Sequence, residues 1–153
     1  MKKLIIFISL IAAFAFAQAQ TGKVLTFTPA TNDSLVGAVT KYCTLSTPIT
    51  GQWTGSIYIY LDQSVVGTDS TRVTVQGSHD NSTFMDLNLG TPLLGGTAAT
   101  RAAGYYVTCT AGDAYIMWNP TWFISPPYLR LKVQHYVATA SVKITKAQIY
   151  LKR

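Results

Sequence analysis

Side chains that could catalyse a reaction are few in this sequence, and their spacing favours no active site. The six acidic residues are all aspartates. Most of them lie in predicted turns, whereas a glycosidase needs two placed carboxylates. His79 and His135 are interpreted as surface residues, in a turn and at the end of a strand. The sequence has no Gly-x-Ser-x-Gly motif, phosphate loop or EF-hand, so we expect neither enzymatic activity nor a cofactor.

Cys43 and Cys109 are the two cysteines of the chain. With the two histidines they show none of the ligand spacings typical of zinc, and no metal site is predicted. Both cysteines lie in apolar, strand-like surroundings, and a disulfide between them can persist in an oxidising compartment. We predict this disulfide. The alternative is two buried thiols, since cysteine often packs as a small apolar side chain.

Aromatic side chains are the strongest candidates for binding. Trp118, Trp122, Phe123 and Tyr128 bracket the proline-rich loop 119–127. Because sugar rings present apolar faces that stack on exposed aromatic rings, this group is hypothesised to bind a ligand. The alternative is that these rings pack in the core or on a sheet, as large side chains do in β-sandwiches.

The N-terminus has the segments of a secretory signal peptide in their usual order. Lys2–Lys3 is basic, Leu4–Phe16 is apolar, and Ala17–Ala19 is a small-x-small cleavage site. The apolar stretch is shorter than the roughly 20 residues that span a bilayer, so no membrane anchor is expected. We predict a signal peptide over residues 1–19 and one domain over residues 20–153, located outside the cell, in the periplasm or on the cell surface.

The basic residues are scattered along the chain, although its net charge is +6. A nucleic-acid-binding protein needs a clustered basic patch, so no nucleic-acid partner is expected. The positive charge favours either anionic glycans and cell surfaces or simply a soluble basic surface. Asp33-Ser34-Leu35 and Asp69-Ser70-Thr71 resemble O-glycosylation sites of Bacteroidetes periplasmic proteins, which implies modification of Ser34 and Ser70.

Short alternating segments predict the fold that must position these residues. In Ser56–Leu61 three apolar side chains point one way and two tyrosines the other. About nine or ten such strands, separated by turn residues, predict an all-β antiparallel β-sandwich or jelly roll. The other clear strands are Lys23–Phe27, Lys41–Ser46, Arg72–Gln76, Thr83–Leu87 and Tyr128–Val133.

Three further local predictions follow from the pattern. The apolar residues change phase near Thr145–Lys146, which predicts a β-bulge or, alternatively, a strand that starts at Ala147. Residues 105–110 and 114–118 are predicted to form a hairpin around Ala111-Gly112-Asp113. Residues 89–104 show no alternation and are predicted to be a mobile surface loop, with a helical turn at 97–103 as the alternative.

Two segments carry a family resemblance. Val73–Phe84 resembles the strand, Ser-x-Asp-Gly-x-x-Trp, strand hairpin of discoidin-like, galactose-binding sandwiches, and residues 128–133 with 138–151 resemble their closing strands. Similar segments occur in small β-sandwich proteins of bacteriophages. The sequence departs at Asn81, where the family prefers Gly, and at Phe84, where it prefers Trp. The resemblance implies a fold more than a function.

The sequence as a whole favours an exported, non-catalytic protein that acts in binding or surface assembly. The expected partner is a carbohydrate or another surface polymer, and a homo-oligomer is left open. The alternative is a bacteriophage virion component of similar fold. Of the three interpretations, an enzyme is the least favoured.

Overall fold

Alternating apolar and polar residues fold into ten strands within the described part of the chain. The computed structural model describes residues 22–28, 33–51, 54–63, 71–101, 106–120, 126–136 and 141–152. The strands are β1 (Lys23–Thr28), β2 (Asp33–Val36), β3 (Thr40–Leu45), β4 (Thr54–Gln63), β5 (Thr71–Ser78), β6 (Met85–Asp86), β7 (Leu93–Arg101), β8 (Tyr106–Trp118), β9 (Tyr128–His135) and β10 (Ser141–Lys152). Their pairings are antiparallel, which confirms the predicted class. Within these ranges no helix is long and apolar enough to cross a membrane.

The strands form one sheet that curls on itself into two layers. In hydrogen-bonded order they run β6-β5-β9-β3-β1-β10-β4-β8-β7, and β8 also pairs with β5, which closes the path. The first layer comprises β2, β10, β4 and the parts of β7 and β8 that pair at Leu93–Gly96 and Ala114–Met117. The second layer comprises β6, β5, β9 and β3, and the other halves of β7 and β8 continue to its edge beside β5. Strands β1 and β8 join the layers because each changes partner part-way along its length. The predicted β-sandwich is confirmed.

Period-two alternation places one face of each strand in the core. In β4, Ile57, Ile59 and Leu61 are fully buried, while Tyr58 and Tyr60 point outward. The inward faces of both layers meet in one apolar cluster. Its largest fully buried side chains are Trp118, Phe27, Leu35, Ile57, Ile59, Leu61, Ile116, Leu131, Ile144, Ile149, Leu151 and Val73.

The predicted β-bulge in the last strand is confirmed. The register of β10 against β4 shifts between Ile144 and Lys146, so Thr145 has no partner on β4. Val142 and Ile144 before the bulge, and Ala147 after it, are all fully buried. One extra residue therefore lets two segments of opposite phase face the same core.

The second predicted hairpin is wrong, because residues 106–118 form the single strand β8. Gly112 has a φ of 88°, a conformation that glycine adopts without strain. The irregularity there turns the strand from β5, which it pairs with up to Cys109, to β4, which it pairs with from Gly112. Turn-forming residues at this point bend the chain without reversing it.

The surface loop predicted over residues 89–104 is also wrong for most of its length. Leu93–Arg101 is strand β7, paired with β8. Its Gly, Ala and Thr residues are neither strongly apolar nor charged, so they conceal the alternation on which a strand prediction depends. The helical-turn alternative is excluded for residues 97–101, which belong to the strand.

The hairpin predicted after Arg72–Gln76 is confirmed, with β6 as its short second strand. Asp80 organises the turn by accepting hydrogen bonds from both Ser82 and Thr83 amides and from the Ser78 and Ser82 hydroxyls. Hydrogen bonds from Ser82, then Thr83 and Ser78, hold the pKa of Asp80 well below its ordinary range. Asn81 has a φ of 59°, a left-handed conformation that asparagine adopts more often than most other residues. This explains why asparagine can stand where discoidin-like sandwiches prefer glycine.

Candidate functional site: a tyrosine-rich face

Trp118, expected at an exposed ligand patch, is a core residue with 1% of its surface exposed. It is in phase with Ile116 on the inward face of β8, which directs its ring away from solvent. Trp122 and Phe123 lie outside the described residues, and Tyr128 is half-buried at the start of β9. The patch hypothesis loses Trp118 and stays a prediction for the other three residues.

The histidines differ in environment. His79 is exposed in the β5–β6 turn, as predicted. His135 ends β9 as predicted, but the surface interpretation is wrong because it is 2% exposed. It continues the inward phase of Leu131 and Val133, and its Nδ1 lies 2.9 Å from the Thr71 hydroxyl.

The remaining predicted sites are only partly described. Cys43 is buried on β3, and the side chain of Cys109 on β8 lies outside the described residues. In the sheet order, β5 and β9 lie between β3 and β8. The disulfide stays a prediction. Ser34 is exposed on β2, while Ser70 is outside the described ranges, so O-glycosylation also stays a prediction. The described part of the chain contains no group of three His, Cys, Asp or Glu side chains that could hold a metal ion.

The outer side of the first layer presents a row of tyrosines, which we call the tyrosine face (Tyr58, Tyr60, Tyr115, Met117 and Tyr150). The register explains the grouping: Tyr60 pairs with Tyr115 and Tyr58 with Met117 across β4 and β8. Tyr150 lies on β10, the neighbour of β4 on its other side. Tyr115 is 39% exposed and Tyr150 is 47% exposed. Rings from three adjacent strands therefore share one surface.

The centre of the tyrosine face is held rigid by ring stacking. Tyr60 and Tyr115 stack with centroids 4.6 Å apart and planes 6° from parallel. The Tyr60 hydroxyl donates a hydrogen bond of 3.0 Å to Asp113 Oδ1. Hydrogen bonding to Tyr115 and then to Asp113 raises the pKa of Tyr60 above its ordinary value, so this phenol stays neutral at physiological pH. The stack fixes both rings before any ligand arrives.

Two depressions flank Tyr58 and Met117, which line both. One has a volume of about 360 Å³ and the other about 210 Å³. The larger depression also contains Lys146 and Gln148. The lining of the larger depression thus combines ring and aliphatic surface with amide and ammonium donors, the composition expected of a site that orients a polar ligand with an apolar face. The smaller depression is lined by rings and aliphatic side chains. The residues lining the first are Val24, Ser56, Tyr58, Met117, Lys146, Gln148 and Tyr150.

The smaller depression is open because Gly95 of β7 stands opposite Tyr115. A methyl group added at Gly95 would reach the Tyr115 side chain only at ordinary contact distances, 3.5 Å at the nearest atom. Any longer side chain there would project beside the ring. A residue without a side chain at this position leaves the flank of Tyr115 accessible.

Sequence reasoning placed Tyr58 and Tyr60 on the outward side of their strand but did not identify this surface. The signal for the single strand was the alternation itself. Nothing local indicated that β8 and β10 would flank β4, because strand neighbours are separated by long stretches of chain. The arrangement has the features of a binding surface, with fixed rings, adjoining depressions and polar groups at their margins.

Comparisons with known proteins identify no family for this chain. No family model and no curated protein matches it. Among solved structures, Eiger TNF from S. frugiperda aligns at 8% identity with a TM-score of 0.46, covering 88% of this chain and 92% of its own. The CBM36-1 domain of a multidomain xylanase from the hindgut metagenome of Trinervitermes trinervoides aligns at 8% identity with a TM-score of 0.41, covering 85% and 96%. TmCBM61, in complex with beta-1,4-galactotriose, aligns at 8% identity with a TM-score of 0.34, covering 86% and 77%. Likenesses this distant assign no function.

Proposed function

We propose that this protein is an exported, non-catalytic binding module that holds carbohydrate against the tyrosine face. The observation that supports the proposal is the placement of Tyr58 and Met117 between two depressions, the larger of which also has Lys146 and Gln148 in its lining. The axial hydrogens of a sugar ring form an apolar face that packs on an aromatic ring, and its hydroxyls need donors and acceptors at the edge of that contact. The tyrosine face offers both.

The polar groups lie within reach of the rings. Gln148 pairs in register with Tyr58, and its amide nitrogen lies 3.4 Å from the Thr26 hydroxyl. The Lys146 ammonium is 5.7 Å from the centre of the Tyr58 ring. Asp113 stands at the end of the stacked pair. Amide, ammonium and carboxylate groups around a ring are the partners that sugar hydroxyls require.

The scaffold keeps the entropy cost of binding low. Strand β4 is paired with β10 along its length and with β8 from Ile57 to Gln63. Side chains on paired strands lose less freedom on binding than side chains on loops, so more of the contact energy contributes to affinity. A protein exported through the predicted signal peptide would meet glycans outside the cytoplasm, and this location is part of the proposal.

The test is a binding screen of the purified protein against a panel of neutral polysaccharides, followed by alanine variants. Tyr58→Ala should weaken the best ligand about tenfold or more, the scale of losing an aromatic contact at the centre of an interface. Tyr150→Ala should weaken it less, since Tyr150 lies at one side of the tyrosine face. Tyr136→Ala is the matched control: this tyrosine is 49% exposed but lies outside the first layer.

A gain of side chain gives a second test that keeps every ring in place. Gly95→Val should crowd the flank of Tyr115 and weaken binding while the melting temperature is maintained. Binding that is unchanged in both Tyr58→Ala and Gly95→Val, with both variants folded, contradicts the proposal. So does a screen in which no neutral polysaccharide binds.

A further inference from the structure

The outer side of the second layer has a different chemistry, centred on Arg130 of β9. The Arg130 guanidinium carbon lies 4.1 Å from the centre of the Tyr42 ring and 3.8 Å from the centre of the Phe84 ring. Its Nε donates a 2.7 Å hydrogen bond to Gln76 Oε1. We call this arrangement the arginine clamp (Arg130, Tyr42, Phe84 and Gln76). Two rings and one amide fix the plane and the rotation of the guanidinium.

The clamp leaves one part of the guanidinium available. Of its five N–H groups, the one on Nε is bonded to Gln76. Among the described residues, the terminal nitrogens of Arg130 have no hydrogen-bond partner, and no carboxylate forms an ion pair with this side chain. Those terminal N–H groups form the planar fork that matches two oxygens of a carboxylate or sulfate. The fork is preorganised, so little side-chain entropy remains to be lost when an anion binds.

The acidic side chain of Asp86 supports the clamp from the other side of Gln76. Asp86 Oδ1 accepts a 2.7 Å hydrogen bond from Gln76 Nε2. This bond orients the Gln76 amide so that its oxygen faces Arg130. The carboxylate of Asp86 thus supports the clamp through Gln76 and does not occupy the guanidinium fork.

A second cation lies on the same outer side. Lys132 lies two residues beyond Arg130 on β9. Two residues of strand rise separate the two Cα positions by about 7 Å. Two cations at this spacing suit a polymer with repeated negative charges better than a single small anion.

We propose that the arginine clamp, extended by Lys132, binds an acidic polysaccharide through its sulfate or carboxylate groups. This site is separate from the tyrosine face and does not depend on it. The clamped fork would recognise the anionic group by two parallel hydrogen bonds. The neighbouring Lys132 ammonium would attract the adjacent anionic group of the polymer, an attraction that salt screens.

The experiment compares immobilised dextran sulfate, polygalacturonate and uncharged dextran as ligands for the purified full chain. The protein should bind at least one of the acidic polymers and should not bind dextran at this site. A difference in affinity between dextran sulfate and polygalacturonate would distinguish sulfate from carboxylate. Binding should weaken steeply between about 20 mM and about 1 M salt. Arg130→Lys keeps the charge but removes the fork, and it should weaken binding about tenfold.

Control variants keep the test decisive. Lys132→Gln removes a charge from the same side while all four clamp residues stay in place, although Lys132 pairs in register with Tyr42. It should weaken binding several-fold at an unchanged melting temperature, which covers the case that Arg130→Lys unfolds. Lys143→Gln removes the same charge from the first layer and should have little effect. Dextran sulfate binding at the clamp should be lost at high salt, whereas binding of a neutral polysaccharide to the tyrosine face should persist there, so a failure of the tyrosine face and a failure of the clamp give different results.

Three outcomes would overturn the proposal. Unchanged affinity in both folded Arg130→Lys and folded Lys132→Gln would assign the clamp a purely structural role in fixing the β5–β6 turn. Duplex DNA binding as tightly as dextran sulfate, with the same salt dependence, would indicate unspecific attraction of polyanions. Absence of binding to both acidic polymers at low salt would exclude the site.

Discussion

Two adjacent glycines of β7 should respond in opposite ways to the same added methyl group. A Cβ at Gly95 would touch only the Tyr115 side chain, at 3.5 Å or more. Gly95 has no positive φ, whereas Gly96 has a φ of 67°. A Cβ at Gly96 would overlap the backbone carbonyl oxygen of Asp113. Gly96 also stands at the register shift between β7 and β8, where the two backbones approach closely.

The expected free energies follow from these two environments. Gly95→Ala should stabilise the protein by about 0.4–1 kcal/mol, because it reduces the freedom of the unfolded chain at a position without strain. Gly96→Ala should cost about 1–2 kcal/mol for the left-handed conformation and about 1–3 kcal/mol more for the overlap with a backbone atom that cannot rotate away. The two variants should therefore differ by roughly 3 kcal/mol or more, which is on the order of 10 °C in melting temperature for a domain of this size.

Urea unfolding of both variants beside the parent protein measures the difference. The slopes should agree, so that the midpoints report stability alone. Equal stability of the two variants would refute the register of β7 on β8 and the bend that Gly96 makes. A strong loss in Gly95→Ala would refute the open flank of Tyr115 on which the Gly95→Val binding test depends.

Four other predictions concern separate parts of the chain. Deleting Thr145 should bring both halves of β10 into one phase and cost far less stability than deleting a residue from its paired C-terminal half; similar losses in urea unfolding would contradict the bulge. The lowered pKa of Asp80 means that its stabilising effect is present above its ordinary pKa of 3.8 and is lost as the pH falls below it. Asp80→Asn should accordingly flatten the fall in stability between about pH 5 and pH 2, and an unaltered pH profile would argue against the turn geometry. Non-reducing peptide mapping should recover a Cys43–Cys109 cross-link, and its absence from oxidised protein would remove the predicted disulfide. The intact mass of exported protein should correspond to a start at Gln20, and retention of the N-terminal segment would exclude cleavage at the predicted site.

Local patterns predicted a large part of the fold because each depends on neighbouring residues. The alternation in β4 and β9, the phase change in β10 and the turn at Asp80 are all properties of short segments, and the structure agrees with each. The wrong predictions, the second hairpin and the loop over residues 89–104, occur where a local pattern is compatible with two structures. Gly112 marks a bend in one strand as readily as a turn between two, and the small residues of β7 lack the contrast that reveals a strand.

The candidate site was predicted poorly for a related reason. Trp118 is close to Trp122 and Phe123 in sequence, yet the phase of β8 after the bend at Gly112 directs the Trp118 ring into the core. Phase after an irregularity cannot be read from composition, because one additional residue reverses every side chain that follows. The prediction that His135 lies on the surface is wrong for a similar reason. A residue at the end of a strand can still be buried, as His135 is.

The sequence by itself determined which side chains of each strand share a face, since alternation with period two is a property of the extended backbone. It also determined the bulge of β10 and the turn that Asp80 stabilises. The tertiary structure decided which faces lie side by side. Strands β4 and β8 become neighbours only when the sheet curls and closes, and that closure stacks Tyr60 on Tyr115. In the second layer the pairing of β9 with β3 and β5 places Arg130 between Tyr42 and the turn that carries Phe84. Contacts between distant segments depend on strand order, and strand order is set by how the whole chain buries its apolar faces.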